Sequence, residues 1–597
     1  MAKQQETPGE SQHDLVRVLG EITDNSQRLL HSIAERHCCA TNGVAVPDPL
    51  NLGPTILELT ARILADPAPI LQAQLALWQD YLRLWHNAGQ RLLGRPVDPM
   101  VAPDSSDRRF RDPAWDDHAV FDFIKQSYLL TSRWLVDTVN GLDGFDDKTK
   151  QKIDFYTRQF VDALAPSNFV ATNPEVLRAT LESGGTNLLH GLNNLLEDLA
   201  RGEGRLAIKM TDLEAFELGQ NLALTSGKVV FENDLLQLIQ YAPSTEEVYR
   251  RPLLIIPPWI NKYYILDLRP KNSFVKYAVD QGFTVFVISW VNPDERHAEK
   301  SFEDYLVEGA LAALDAVEQA TGERETTVIG YCLGGTLLAC TLAYLAAKRD
   351  GRIKAASFFA ALTDFDNPGE LGVFIDEEQL AAMDEMMAKR GYLDGREMAT
   401  TFNLLRANDL IWSFVVNNYL LGKEPFPFDL LYWNADSTRM PYAMHSFYLH
   451  KFYQENKLVE PGGITLCDVP IDLRRIRLPV YMLSTREDHI APWAATYAAT
   501  QLYRGDTRFV LAGSGHIAGV INPPIQQKYG YWTNPQLPPD PKDWLEGAIE
   551  HAGSWWPDWA AWNAAKSGPK VPARRPGEGR LAPLEDAPGA YARLRAV

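Results

Sequence analysis

At 597 residues the chain exceeds what one hydrophobic core serves, so two domains are expected, and an apolar fraction of 46% with 10% aromatics allows a large core. The 77 Asp and Glu against 58 Lys and Arg leave a formal charge of −19, which argues against a nucleic-acid partner. No apolar run reaches the roughly 18 residues of a transmembrane segment, the Met-Ala-Lys-Gln-Gln-Glu-Thr start lacks a signal-peptide core, and the cysteines (Cys38, Cys39, Cys332, Cys340, Cys467) show no metal spacing, so a cytoplasmic protein with reduced thiols and no metal is expected.

Residues 1–212 read as a helical N-terminal domain, irregular before about residue 114, and residues 213–597 as a second domain. Residues 98–113, rich in Pro, Asp and Arg, read as a linker. Apolar residues at helical spacing mark 122–130 and 134–139, and Asn173-Pro174-Glu175 supplies a cap, an N1 proline and an acidic first turn for another helix. Gly184-Gly185 and Gly202-Glu203-Gly204 fit helix ends, and no phosphate-binding glycine pattern or bound cofactor is expected.

β-Rich segments at 228–231 and 236–241 open the second domain, and strands then alternate with helices as a mostly parallel sheet requires. The expected strands are 252–256, 284–289, 326–329 and 355–360, with helices at 274–280 and 301–318. Tyr263 and Tyr264 read as packing residues. The strand at 326–329 runs into Gly330-Tyr331-Cys332-Leu333-Gly334-Gly335-Thr336 and then a Leu- and Ala-rich helix. Strand, sharp turn and helix make the setting of a nucleophile elbow, here with cysteine at its apex. Gly330 and Gly334 lack the Cβ atoms that would collide in so tight a reversal, and the helix directs the positive end of its dipole at the sulfur. Cys340, further along that helix, reads as a small buried apolar residue.

An insertion from about 363 to 446 is far longer than an ordinary connection, and its Met383, Met386, Met387, Trp412, Phe414, Tyr419, Phe426 and Phe428 suggest an amphipathic cap over the elbow. The strand at 478–483 then opens into a polar loop carrying Asp488, and the strand at 508–511 into a glycine-marked loop carrying His516. Nucleophile, acid and histidine thus follow in the chain order of an α/β-hydrolase triad: Cys332, Asp488, His516. The Leu333 N–H would be one oxyanion donor, and the Ile260 N–H, on the loop after the strand at 252–256, the second. Near the C-terminus Trp555, Trp556, Trp559 and Trp562 have the spacing of a packed helix, and the tail beyond Lys566 reads as extended.

Further motifs accompany the Cys332 box: the run from Pro257 through Asn261 to Asp267, Ser289-Trp290-Val291-Asn292-Pro293, Tyr432-Trp433-Asn434, Asp488-His489, and His516 with the run to Pro524. On these the chain resembles the polyhydroxyalkanoate synthases, class I above all, from about Ala114 to its C-terminus. The resemblance implies an α/β-hydrolase catalytic domain with a cap insertion, preceded by a mainly helical domain serving dimer support and granule association. It implies an acyltransferase that polymerises (R)-3-hydroxyacyl-coenzyme A into polyester and releases coenzyme A through a Cys332 thioester. Such an intermediate keeps the activation of the incoming thioester, which a serine ester would surrender. His516 would take the thiol proton, and Asp488 would orient His516 and help activate the attacking hydroxyl. Asn261 and His489 are candidate substrate contacts, and Arg406 a candidate partner for the coenzyme A phosphates, with a solvated helix-face arginine as the alternative. The expected partners are the acyl-coenzyme A, the growing polyester granule and a second copy of the chain. The alternatives are a cysteine-dependent thioesterase or dienelactone-type hydrolase and a noncatalytic granule-coating protein.

Overall fold

The computed structural model describes residues 58–62, 68–104 and 107–595, which excludes Cys38 and Cys39, and the chain divides into two compact units. One runs to Asp212 and also takes in Phe402–Phe426; the other comprises Leu213–Thr401 and Pro427–Val597.

The first unit is helical: α1 Ala68–Leu92, α2 Ala119–Asn140, α3 Asp147–Ala163, α4 Pro174–Glu182 and α5 Thr186–Arg201. Asn173 caps α4 through its side chain, which accepts from the N–H groups of Glu175 and Val176. Helix α1 corrects the expectation of irregular chain before residue 114. Its residues Leu71, Leu75, Trp78, Leu82 and Trp85 recur at alternating intervals of four and three, which is helical periodicity. Leu84 packs with Val101 and with Leu130 of α2, whereas those five residues are each at least 61% exposed.

The long insertion is not a single body. Its middle, Phe402–Phe426, belongs with the helical unit, where Gly191 of α5 leaves room for its backbone. A Cβ there would come within 1.8 Å of the Tyr419 carbonyl oxygen. Around that close approach Asn187 donates to the Leu420 carbonyl at 2.8 Å and the Tyr419 hydroxyl to Asp198 at 2.6 Å.

The second unit is built on an eleven-stranded sheet. In chain order its strands are β1 Gly227–Glu232, β2 Leu236–Tyr241, β3 Leu253–Ile256, β4 Val285–Trp290, β5 Thr326–Tyr331, β6 Ile353–Phe359, β7 Val480–Thr485, β8 Thr507–Ala512, β9 Gly530–Thr533, β10 Ile549–Ala552 and β11 Glu585–Asp586. Across the sheet they lie in the order β10-β9-β8-β7-β6-β5-β3-β4-β2-β1-β11. The six from β8 to β4 are mutually parallel and the outer strands antiparallel. Strands β3, β4, β5 and β7 are buried along their whole length, as helices on both faces demand, so they read as unbroken apolar runs. The elbow helix, α6 Leu333–Lys348, follows β5 directly.

A tryptophan-rich helix near the C-terminus, α7 Trp556–Lys566, lies against the sheet with Trp555, Trp556 and Trp559 buried, and the Trp559 indole donates to Ser357 of β6 at 3.0 Å. Beyond it the tail adds β11 to the sheet edge and pairs Lys570–Pro572 with Glu247–Tyr249. Among the described residues no helix is long and apolar enough to cross a membrane.

Candidate active site

Cys332 sits between β5 and α6 with φ 51° and ψ −120°, a strained conformation for a residue with a side chain. Three glycines make the turn possible by allowing close approach. A Cβ on Gly330 would lie 2.6 Å from the Gly335 Cα, and one on Gly335 would lie 2.3 Å from the Ala361 Cβ. A Cβ on Gly334 would lie 2.0 Å from the Ile256 carbonyl oxygen and 2.8 Å from that of Pro257. The first turn of α6 therefore rests on the end of β3 and the first residue of the loop that carries Ile260. The Leu333 N–H, in the first turn, has no carbonyl a turn earlier to bond. Among the described residues no backbone carbonyl accepts from the Ile260 N–H.

His516 reaches Asp488 with its Nδ1 2.7 Å from Oδ2. The carboxylate is otherwise fully engaged: Oδ1 accepts from the Ile490 and Ala491 N–H groups at 2.9 Å each, and Oδ2 from the Thr485 hydroxyl at 2.9 Å. Burial alone would raise the Asp488 pKa, but the charge and hydrogen bond of His516, with those of Ala491 and Thr485, hold it below the ordinary carboxylate value. Burial likewise works against a charged His516. Asp488 and Cys332, each through charge and a hydrogen bond, carry its pKa well above the ordinary imidazole value. Tyr331 backs the ring, its phenol stacked at a centroid distance of 5.8 Å and its hydroxyl donating to the His516 carbonyl. The structure thus hydrogen-bonds His516 to Asp488 and places the pair where His516 feels the charge of Cys332, a base beside the sulfur with a carboxylate behind the base.

The remaining candidates are placed variously. Asn261 forms an isolated antiparallel bridge with Ser437. His489 follows Asp488 in its loop, half-buried, its carbonyl close against Gly369. Arg406 falls in the helical unit, where its guanidinium pairs with Asp409 at 2.7 Å, the arrangement of a solvated helix-face arginine. Two residues near the sulfur have no sequence signal at all. Tyr448 and Tyr453, both deprotonated only with difficulty because they are buried, also feel the charge of Cys332. Five residues apart, they would point about 140° away from each other on an α-helix. The π-helical turn Leu449–Gln454 winds more widely and lets both approach the elbow.

A family model described as the N-terminus of poly-beta-hydroxybutyrate polymerase matches residues 106–278, and a model of the alpha/beta hydrolase fold matches residues 251–523. The chain is 51% identical over 543 residues to the poly(3-hydroxyalkanoate) polymerase of Methylorubrum extorquens, covering 91% of this chain and 90% of that protein. A poly(3-hydroxyalkanoate) polymerase subunit of Rhizobium meliloti (strain 1021) is 49% identical over 91% of this chain and 88% of its own. That of Cupriavidus necator is 44% identical over 90% and 91% respectively.

Proposed function

The chain belongs to the poly(3-hydroxyalkanoate) polymerase family, as an acyltransferase of α/β-hydrolase fold, and from that premise we propose how it builds polyester. The substrate is a 3-hydroxyacyl-coenzyme A, and Cys332 is the residue that carries the acyl group. The Cys332 sulfur attacks the thioester carbonyl while its proton passes to His516. The oxyanion that forms is met by the N–H groups of Leu333 and Ile260. Collapse breaks the bond to the coenzyme A sulfur, and His516 returns the proton to the departing thiol. The 3-hydroxyl of another hydroxyacyl unit then attacks the Cys332 thioester, losing its proton to the His516–Asp488 pair, and forms an ester bond as the cysteine is regenerated.

The observation that carries the reading is the hydrogen-bonded Asp488–His516 pair beside a cysteine held at positive φ on a strand-to-helix turn. Its test is to incubate the protein with 3-hydroxybutyryl-coenzyme A and follow thiol release together with turbidity. The reading expects both from the native chain and neither from Cys332→Ala; thiol release accompanied by free 3-hydroxy acid and no polymer would indicate a hydrolase instead.

The proposal extends to the polyester surface and to a second copy of the chain. The exposed Leu71, Leu75, Trp78, Leu82 and Trp85 face of α1 supports adsorption to a hydrophobic granule. A dimer would be the active form if the cap must open for coenzyme A to reach Cys332.

A further inference from the structure

The loop that follows β3, residues 257–262, is anchored through its carbonyl groups. The Trp290 indole donates to the Pro257 carbonyl at 2.8 Å, the Thr438 hydroxyl to that of Trp259 at 2.6 Å, and the Trp433 indole to that of Lys262 at 2.7 Å. Asn261 bridges Ser437, and the Lys262 ammonium pairs with Asp436 at 2.7 Å, both side chains only 3% exposed. Asp436 also accepts from the Tyr264 hydroxyl at 2.8 Å. All of these ties except that of Trp290 end on residues 433–438, a stretch soon after the chain re-enters this unit at Pro427. Burial lowers the Lys262 pKa and raises that of Asp436, and each partner opposes the shift of the other. A buried pair of this kind is poor evidence for stability, but it fixes register between the segments it joins.

The hydrogen bond from Thr438 has a directional consequence. The carbonyl of Trp259 and the N–H of Ile260 belong to one planar trans peptide and point in opposite directions, so whatever orients the first orients the second. We infer that Thr438 is a positioning residue: by holding the Trp259 carbonyl, its hydroxyl aims the Ile260 N–H at the oxyanion, and the Lys262–Asp436 pair keeps Thr438 in register. The inference rests on the reading of Cys332 as the acylated nucleophile. It adds that the stretch 433–438, the end of the helix Asp429–Ala435 and the turn after it, tunes the rate of acylation without touching substrate.

Thr438→Val keeps the shape and removes the donor, and Thr438→Ser restores it. Loss of a whole oxyanion donor costs ~10²–10³ in rate, so a donor that is mis-aimed costs roughly 10- to 100-fold. Single-turnover thiol release from 3-hydroxybutyryl-coenzyme A should slow by that factor in Thr438→Val with KM unchanged, and stay within about threefold of the native rate in Thr438→Ser. Alkylation of Cys332 by iodoacetamide forms no oxyanion and should proceed at the native rate in both. Asp436→Asn, which leaves the Thr438 hydroxyl but loosens the stretch that carries it, should show the same split between acylation and alkylation at smaller size. Native acylation in Thr438→Val, an equal loss in Thr438→Ser, alkylation that slows as much as acylation, or the absence of any split in Asp436→Asn would each overturn the inference. Cys332→Ala in the same assay separates the two levels. Thiol release from that variant would remove the nucleophile reading itself, whereas an inert Cys332→Ala beside a fully active Thr438→Val would remove only the role of Thr438.

Discussion

Replacing Asp488 with Asn tests the acid–base chain at its far end while leaving the loop intact. The Asn carbonyl can still accept from the Ile490 and Ala491 N–H groups that Oδ1 holds at 2.9 Å, and the Thr485 hydroxyl can turn to accept from the new amide. The His516 contact cannot survive unchanged. Nδ1, 2.7 Å from Oδ2, would face an NH₂ donor and must become an acceptor, which places the ring proton on Nε2. In that tautomer the imidazole cannot take the thiol proton, and the charge that raises the His516 pKa is gone. The wrong tautomer costs a serine triad ~10⁴ in rate. For a thiol nucleophile, with more thiolate present at neutral pH, we expect acylation to fall roughly 10³- to 10⁴-fold, or about 4 to 5.5 kcal/mol of barrier. The assay is stopped-flow thiol release in a single turnover, run beside chain growth with acyl-primed protein. Acylation within tenfold of native would refute the role of Asp488 in holding His516. If acylation and elongation fall by the same factor, Asp488 has no separate part in activating the hydroxyl; a further loss confined to elongation would give it one.

Other expectations follow from single positions. Gly334→Ala puts a Cβ 2.0 Å from the Ile256 carbonyl oxygen, so it should lose roughly 3 to 5 kcal/mol and most activity, and a native melting temperature would contradict the close approach of α6 to β3. His445 is buried and its pKa is lowered from 6.5 to about 4, chiefly by desolvation. The unfolded chain therefore takes up a proton there before the folded one does, and stability present above pH 6.5 should decline by roughly 3 kcal/mol as pH falls towards 4. His445→Gln should remove that component from urea unfolding measured at pH 7.5 and 4.5, and an unchanged difference would exclude His445 as its source. If the active form is a dimer, polymerisation should start after a lag that shortens as protein concentration rises, whereas equal specific activity without a lag, and monomer in sedimentation at every dilution, would rule this out.

The central sheet was readable because its strands are buried on both faces and so form unbroken apolar runs, and the elbow because two of its glycines flank a cysteine at the spacing the turn needs. Asp488 and His516 were readable for a different reason: each follows a strand into a loop, and the order along the chain narrows the choice. Helix α1 carries a clear helical period, but while Leu84 enters a small core, Leu71, Leu75, Trp78, Leu82 and Trp85 stay largely exposed, and a stripe that is mostly unburied gives little reason to expect order. The division of the insertion was out of reach. It depends on Gly191 accepting the backbone at Tyr419, two residues far apart in sequence whose meeting leaves no local trace. Tyr448 and Tyr453 escaped because their common direction arises from a π-turn, and the anchoring of the Ile260 loop because its ties run to backbone carbonyls, which have no sequence identity.

The claim on which the rest depends is that Cys332 holds the growing acyl chain. Brief exposure to 3-hydroxybutyryl-coenzyme A, acid quenching, proteolysis at low pH and mass spectrometry would locate the adduct. The account predicts hydroxybutyryl units on the peptide containing Cys332 and on no other cysteine peptide, with none bound in Cys332→Ala. An acyl group found on Cys340 or Cys467, or polymer formed by Cys332→Ala, would contradict it.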